Sequence, residues 1–330
     1  MTIFINNKKM NKFHFKTEND FEREIIKKSN IFFGENSLYI DVKKKLSTET
    51  LGGVIPDGFL IDFQNPEDLK FYIVEIELSS HSFNSHIFPQ ITKFIAFSKN
   101  PNNKSLLIEE IYRIINENKV YKEIVNKFSN TNDIYKFLND LIKHSENILV
   151  IIDDEKPEFS EISKTYSEWR DLVKVIIIQK YNNSDDTVYF MEPEFEELDY
   201  FQSFEIDNDV SILTEEQQLD SVKCGVKDLY NKLKHSLLDK IPNLVFNPQK
   251  YYISLRTNKN HVYIKGKKRW LDLVIMKEED KVRRIIENCE IKTLSASVQK
   301  FYSGSCTSVR LNKENQIKEI VHCINVMINS

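Results

Sequence analysis

"IPDGFLIDFQNPEDLKFYIVEIELSSH", residues 55–81, decides how the chain is read. Two apolar runs of strand length, "FLIDF" (59–63) and "FYIVEIEL" (71–78), flank the turn-rich "QNPED" (64–68), the pattern of an antiparallel hairpin. The second run carries Glu75 and Glu77. Residues two apart in a strand share a face, so these carboxylates are neighbours, with Ile73 beside them. Like charges adjacent on a sheet repel, and burying them costs more. Either that face is solvated, as in an ordinary edge hairpin, or a cation belongs there. Asp57 follows Pro56 where the first strand begins, so a hairpin brings it towards Glu75. Several carboxylates remain ionised together only around a cation. Oxygen ligands with no Cys or His nearby favour Mg2+ or Mn2+ over zinc.

Outward from the hairpin, "TENDFEREIIKKS" (17–29) predicts a helix capped by Thr17 or Asn19, and "SLYIDVKKK" (37–45) a strand. "NSHIFPQITKFIAFSK" (84–99) predicts a helix with Pro89 in its first turn, where proline is tolerated. Further helices are expected over 104–129 and 131–145. "ENILVIIDDE" (146–155) is continuously apolar, as a buried parallel strand should be. A helix over 158–169 and the strand "DLVKVIIIQKY" complete a strand–helix–strand crossover, and "TVYFMEP" adds a strand. The expectation is an α/β fold with a mixed sheet flanked by helices. The acidic, aperiodic stretch 192–217 marks a boundary, giving domains 1–205 and 206–330. The second is expected to be a smaller α+β domain with a helix over 214–240, strands at "KYYISLR", "HVYIKGK", "WLDLVIM" and "TSVRL", and a closing helix over 313–328.

Residues 1–210 hold 25 basic and 37 acidic residues, and residues 211–330 hold 21 and 13. The two parts therefore carry about −12 and +8, which suggests different electrostatic tasks. Glycine is scarce, at 7 residues, and neither G-x-G-x-x-G nor a Walker A pattern occurs. Cys224, Cys289, Cys306 and Cys323 form no C-x-x-C pair, and read as thiols of a reducing compartment. With no secretory signal and no apolar run approaching about 20 residues, a cytoplasmic protein without a membrane span is expected.

"PD" (56–57) and "EIE" (75–77), after a helix that carries Glu22 and before "QITKF" (90–94), resemble the PD-(D/E)xK nuclease superfamily, in a version whose lysine is replaced. The resemblance covers roughly residues 15–100, and the crossover at 146–180 extends it. It implies a restriction-endonuclease-like fold. It also implies Asp57, Glu75 and the Ile76 carbonyl as ligands of Mg2+ or Mn2+, with Glu22 (Glu18 competing) ligating through water. Glu77, at the usual lysine position, would orient or deprotonate the attacking water, or help to bind a second cation. Gln90 would hold the scissile phosphate or Glu75. Phe94 stands where some members carry tyrosine. His86, four residues before Gln90, is either a phosphate contact or a histidine satisfied by backbone at a helix start.

"QKYYISLRTNKNHVYIKGKKRWLDL" (249–273) interleaves Lys250, Arg256, Lys259, Lys265, Lys267, Lys268 and Arg269 with Tyr251, Tyr252, Tyr263 and Trp270. Cations beside aromatics suit nucleic-acid binding; a solvated basic loop beside core aromatics fits equally. Residues 214–330 are also similar to an uncharacterised domain family, sometimes labelled a predicted transport protein, that often follows nuclease-like domains. The function implied is a Mg2+-dependent DNA endonuclease, of restriction or anti-phage defence type, with RNA open as a substrate. Cleaving two strands is easiest with two copies of the site, so a homodimer is expected. The alternative is a catalytically inactive nuclease fold that binds nucleic acid or a protein partner.

Overall fold

The hairpin forms, and its second strand is a central one. In the computed structural model, β4 (Gly58–Asp62) pairs antiparallel with β5 (Lys70–Glu77), Gly58 opposite Val74 and Asp62 opposite Lys70. On its other side β5 runs parallel to β6 (Glu146–Ile152), which sets Glu75 opposite Val150 and Glu77 opposite Ile152. β6 in turn pairs parallel with β7 (Val173–Asn182). Every β5 residue after Lys70 is buried, which explains the near-continuous apolar run. The structure describes residues 3–6, 8–42, 55–66, 68–129, 133–166, 169, 172–184, 186–203, 214–220, 222–249 and 252–329.

The chain divides into two units, Met1–Glu196 and Glu197–Ser330; the sequence reading set the division after residue 205. With β1 (Ile3–Ile5), β2 (Lys8–Lys12), β3 (Ser37–Asp41) and β8 (Thr187–Glu192), the first unit forms a mixed sheet of order β1-β2-β7-β6-β5-β4-β3, β8 also pairing with β7. One face carries Phe71, Ile73, Ile148, Val150 and Ile152. It packs with Ile91 of α3 (Phe88–Ser98), Ile108 and Ile111 of α4 (Pro101–Glu117), and Leu138 and Ile142 of α6 (Ile134–Ser145). Each aliphatic side chain so buried stabilises by about 1.5–3 kcal/mol before entropy is counted. On the other face Tyr72 meets Phe195, and Phe33 stacks on Tyr39.

Two short segments bring chemistry to the end of β5. α1 (Glu18–Lys27) starts at the Thr17 cap, whose hydroxyl accepts from the Asp20 amide at 3.2 Å, and it buries Phe21, Glu22 and Ile25. Residues Phe83–Ile87 form a π-helical turn before α3, with Ser82 as its cap and Pro89 in the first turn of α3. The long helix expected over 104–129 is two helices, α4 and α5 (Lys119–Phe128). Asn118 separates them, its Oδ1 accepting from the Val120 and Tyr121 amides at 3.0 and 3.2 Å. A side-chain cap of this kind starts a new helix rather than continuing the old one.

The second unit is built on an antiparallel sheet of order β13-β14-β12-β11-β10-β9, from β9 (Val245–Pro248), β10 (Ile253–Arg256), β11 (Asn260–Gly266), β12 (Leu271–Ile275), β13 (Glu290–Thr293) and β14 (Thr307–Leu311). Leu233 and Leu237 of the helix Cys224–Lys240, and Ile320 and Ile324 of the helix Ile317–Ile328, pack in one core with Leu255, Ile264, Leu273 and Val309 of the sheet. No helix among the described residues is long and apolar enough to cross a membrane.

Candidate functional site

Asp57 and Glu75 meet through register. Pairing of Gly58 with Val74 brings Asp57, in the bend just before β4, level with Glu75. The Asp57 amide donates to the Val74 carbonyl at 3.1 Å, and Asp57 Oδ2 accepts from the Ile76 amide at 2.7 Å. The carboxylate thus takes the place of a strand partner and is held rigidly. Asp57, Glu75 and Glu22 are 3%, 4% and 4% exposed. Burial pushes the pKa of the Tyr39 phenol well up, and the charges of Asp57, Glu22, Asp41 and Glu75 add to the rise. Tyr39 therefore stays neutral. Its ring occupies the space a side chain at position 58 would need: a Cβ on Gly58 would sit 2.5 Å from the Tyr39 hydroxyl.

Gln90, on α3, donates from Nε2 to Glu75 Oε1 at 2.9 Å. It is Glu75 that Gln90 holds. His86 lies against Glu77, its Nε2 3.3 Å from Oε1. The pairing follows from pitch: four residues of helix rise about 6 Å and two of strand about 6.6 Å. Two helical residues spaced by four therefore match two strand residues spaced by two. One His86 ring nitrogen thus faces a carboxylate, while the side chain remains 45% exposed. Phe94 is buried in the core beside Ile91.

Glu77 is more buried than Asp57, Glu75 and Glu22, at 1% exposure. A turn after β5, closed by the His81 amide on the Leu78 carbonyl at 2.9 Å, folds His81 back so that its Nδ1 meets Glu77 Oε2 at 2.8 Å. The His81 and His86 rings are in edge contact, centroids 4.8 Å apart. Glu18, at the start of α1, brings Oε2 to 3.6 Å from His81 Nδ1. Burial raises the Glu77 pKa; His81 and His86 pull it down, and Glu18 pushes it up. The expectation of acids with no histidine nearby is thus corrected: the turn and the π-helical segment, neither of them periodic in sequence, deliver two imidazoles to Glu77. Glu22 and Glu18, one turn apart on α1, part company. Glu22 turns into the interior, whereas Glu18 reaches His81 beside Glu77. Sequence reasoning missed Tyr39, which reads as an ordinary strand aromatic.

In the second unit the basic residues do not form one patch. Arg256 ends β10 opposite Asn260, and Lys267, Lys268 and Arg269 lie beyond Gly266 at the other end of β11. Six residue steps of strand separate the two groups by about 20 Å. Lys265 is 7% exposed, opposite Asp272 in register, with its ammonium 5.2 Å from the Tyr200 ring centroid. It is a buried member of a polar network rather than an exposed phosphate contact. Tyr263 packs in a core cluster with Tyr302 and Val298, and Arg310 covers the Trp270 ring at 4.4 Å, so neither is a free stacking platform. Lys250 and Tyr251 lie outside the described residues. Beside the Arg256 end, a cavity of about 520 Å³ is lined by Lys259, His261, Lys277 and Lys281 among others. The four cysteines are free, and burial pushes Cys306 up to about 12 and Cys323 to about 11, which leaves those two thiols protonated and unreactive.

Compared with known proteins, residues 215–325 match the family described as "Domain of unknown function (DUF5655)". That match lies within the second unit, without assigning it an activity. No curated protein and no solved structure matches the chain.

Proposed function

We propose that the chain is a metal-dependent phosphodiesterase, a DNA endonuclease of the PD-(D/E)xK type with a restriction-endonuclease-like first unit, working in restriction or anti-phage defence. What carries the proposal is the register that brings Asp57 level with Glu75, with Gln90 holding Glu75 and Glu22 buried on α1. A hard divalent cation fits this donor set, which is all oxygen and buried. Asp57, Glu75 and Glu22, with the Ile76 carbonyl, would hold Mg2+ or Mn2+. Bound there, the ion supplies Lewis acidity and a water of lowered pKa for in-line displacement at phosphorus.

The chain's own groups then position the reactants. The Ile76 amide fixes Asp57, and Gln90 fixes Glu75. Glu77 takes the position usual for lysine, where it orients the attacking water or accepts its proton, with His81 hydrogen-bonded behind it. An acidic first part repels DNA, so exposed cations of the second unit, Arg256, Lys268 and Arg269, supply the affinity. One observation favours the second reading, a nuclease fold that binds nucleic acid or a partner without cutting: position 77 is a buried glutamate beside two histidines.

The test is to incubate the full chain with plasmid DNA, modified phage DNA and RNA, in Mg2+, Mn2+ or EDTA. Metal-dependent cutting that disappears in Asp57→Ala and Glu75→Ala is expected. Cutting that persists unchanged in both variants refutes the site, and no cutting of any substrate favours the binding protein.

A further inference from the structure

We propose that Glu18, Glu77, His81 and His86 form a second cation site, distinct from the oxygen set at Asp57, Glu75 and Glu22, for a divalent transition metal of the zinc class.

Geometry is the first support. One ligand atom from each of the four residues lies within 4.8 Å of every other. The measured separations are 2.8 Å from His81 Nδ1 to Glu77 Oε2, 3.3 Å from His86 Nε2 to Glu77 Oε1, and 3.6 Å from His81 Nδ1 to Glu18 Oε2. A tetrahedron with metal–ligand bonds near 2.0–2.1 Å has edges of about 3.3 Å. The side chains therefore surround such an ion with small rotamer adjustments and no backbone movement.

The second support is independent of spacing. Glu77 is 1% exposed, yet its Oε1 accepts no hydrogen bond among the described residues. His86 Nε2 is near it but makes no hydrogen bond of proper geometry. A buried carboxylate oxygen left in this state is costly and calls for a ligand. It is aimed into the cluster, not into the core. The histidines and Glu18 are partly exposed, at 30%, 45% and 32% of their side chains, so an ion can reach them from solvent.

Ligand chemistry chooses the metal. Two neutral imidazoles and two carboxylates suit Zn2+ or Co2+, while Mg2+ prefers oxygen ligands and retains its waters. Two different ring nitrogens face inward, Nδ1 of His81 and Nε2 of His86, and each must be unprotonated to bind. Metal binding therefore replaces the hydrogen bond between His81 and Glu77. The ion ties three separate segments together: the start of α1, the end of β5 and the π-helical turn. Once bound, it makes Glu77 a ligand rather than a base. None of this depends on the chain cutting DNA.

The experiment uses the full chain without a histidine tag, stripped with chelator and titrated with Co2+ and then Zn2+. One equivalent of Co2+ should give the visible bands of a four-coordinate ion, displaced by Zn2+. His81→Ala and His86→Ala should each weaken Zn2+ binding at least tenfold by calorimetry, whereas Asp57→Ala leaves the Co2+ bands in place. His86→Cys should restore Co2+ binding and add a thiolate-to-cobalt charge-transfer band, which a merely structural histidine would not do. Far-ultraviolet circular dichroism checks that each variant folds. The proposal is overturned if wild-type chain binds no Co2+, if folded histidine variants bind Zn2+ as wild type does, or if Asp57→Ala removes the bands.

Discussion

The two units bury polar clusters built in opposite ways. In the second unit Asp272 accepts from the Tyr200 hydroxyl at 2.8 Å and from the Ser308 hydroxyl at 2.6 Å, and Lys265 stands across from it on β11. None of the side-chain oxygens of Tyr200, Asp272 and Ser308 is both buried and lacking a hydrogen bond. In the first unit Glu77 Oε1, Gln90 Oε1 and the Tyr39 hydroxyl are all buried without a hydrogen-bond partner among the described residues. A closed network stiffens a core and specifies its packing. An open one keeps its interaction free energy for something that arrives later. Burial of charge alone does not separate a structural acid from a ligand-binding one; the state of its second oxygen does.

The comparison can be broken in four places, and the largest effect belongs to the open cluster. Asp57→Ala and Glu75→Ala should each lower the cleavage rate about a thousandfold, equivalent to about 4 kcal/mol of transition-state stabilisation. Folding, followed by circular dichroism, should survive. The next effect belongs to the closed cluster. Asp272→Ala leaves two buried hydroxyls without their acceptor and Lys265 without its cross-strand partner, at a cost of about 3 kcal/mol in urea unfolding. A drop of under about 0.5 kcal/mol would dissolve the distinction drawn here.

A matched pair of tyrosines sharpens it. Tyr200→Phe removes a hydroxyl that is bonded on both sides and should cost about 1–1.5 kcal/mol. Tyr39→Phe removes one with no hydrogen-bond partner among the described residues, so metal-free stability should change by less than about 0.5 kcal/mol or rise slightly. Equal losses in the two variants would mean that the clusters do not differ.

The smallest effect concerns Glu319, whose carboxylate accepts from the Glu287 and Asn288 amides at 2.9 and 3.0 Å and from the Asn288 side chain. The Asn288 backbone and side chain, then the Glu287 backbone, hold its pKa below the ordinary value of 4.5. A lowered carboxyl pKa contributes stability that is present above the unfolded value and lost as pH falls through the folded one. Glu319→Gln should therefore cost under about 1 kcal/mol at pH 7. The gap from wild type should close as pH falls below about 4.5, as pH-dependent unfolding curves would record.

The parts of the first unit legible in the sequence are those where local pattern and tertiary demand coincide. β5, β6 and β7 are long apolar runs, and the Thr17 cap and Pro89 place α1 and α3. β1 and β2 escaped notice because β1 is three residues long and "NNKKM" is polar, with Met10 the buried residue of β2. β9 ends in Pro248 and reads as a turn. The boundary at Asn118 had a usable signal in the asparagine itself. For the site, Asp57, Glu75 and Gln90 follow from strand register and helix pitch, both of which are periodic. His81 depends on a turn and Tyr39 on a strand thirty-six residues before Glu75, and neither is marked by any period.

The π-helical turn at Phe83–Ile87 gives chain length, rather than residue identity, control over which groups surround Glu77. Its wide ring accommodates the exposed Asn84 and Ser85 between the Ser82 cap and His86. Deleting either residue would tighten the ring to an α-turn and swing the preceding loop by about 100° around the helix axis. Downstream, His86 and Gln90 would keep their phase against Glu77 and Glu75. His81, upstream, is tied to β5 by the turn closed on the Leu78 carbonyl, so the strain of a shorter ring falls on that turn and on its contact with Glu77. A chain shorter by one residue at this point would hold its strand acids as before and loosen one imidazole, without altering any residue that touches the strand.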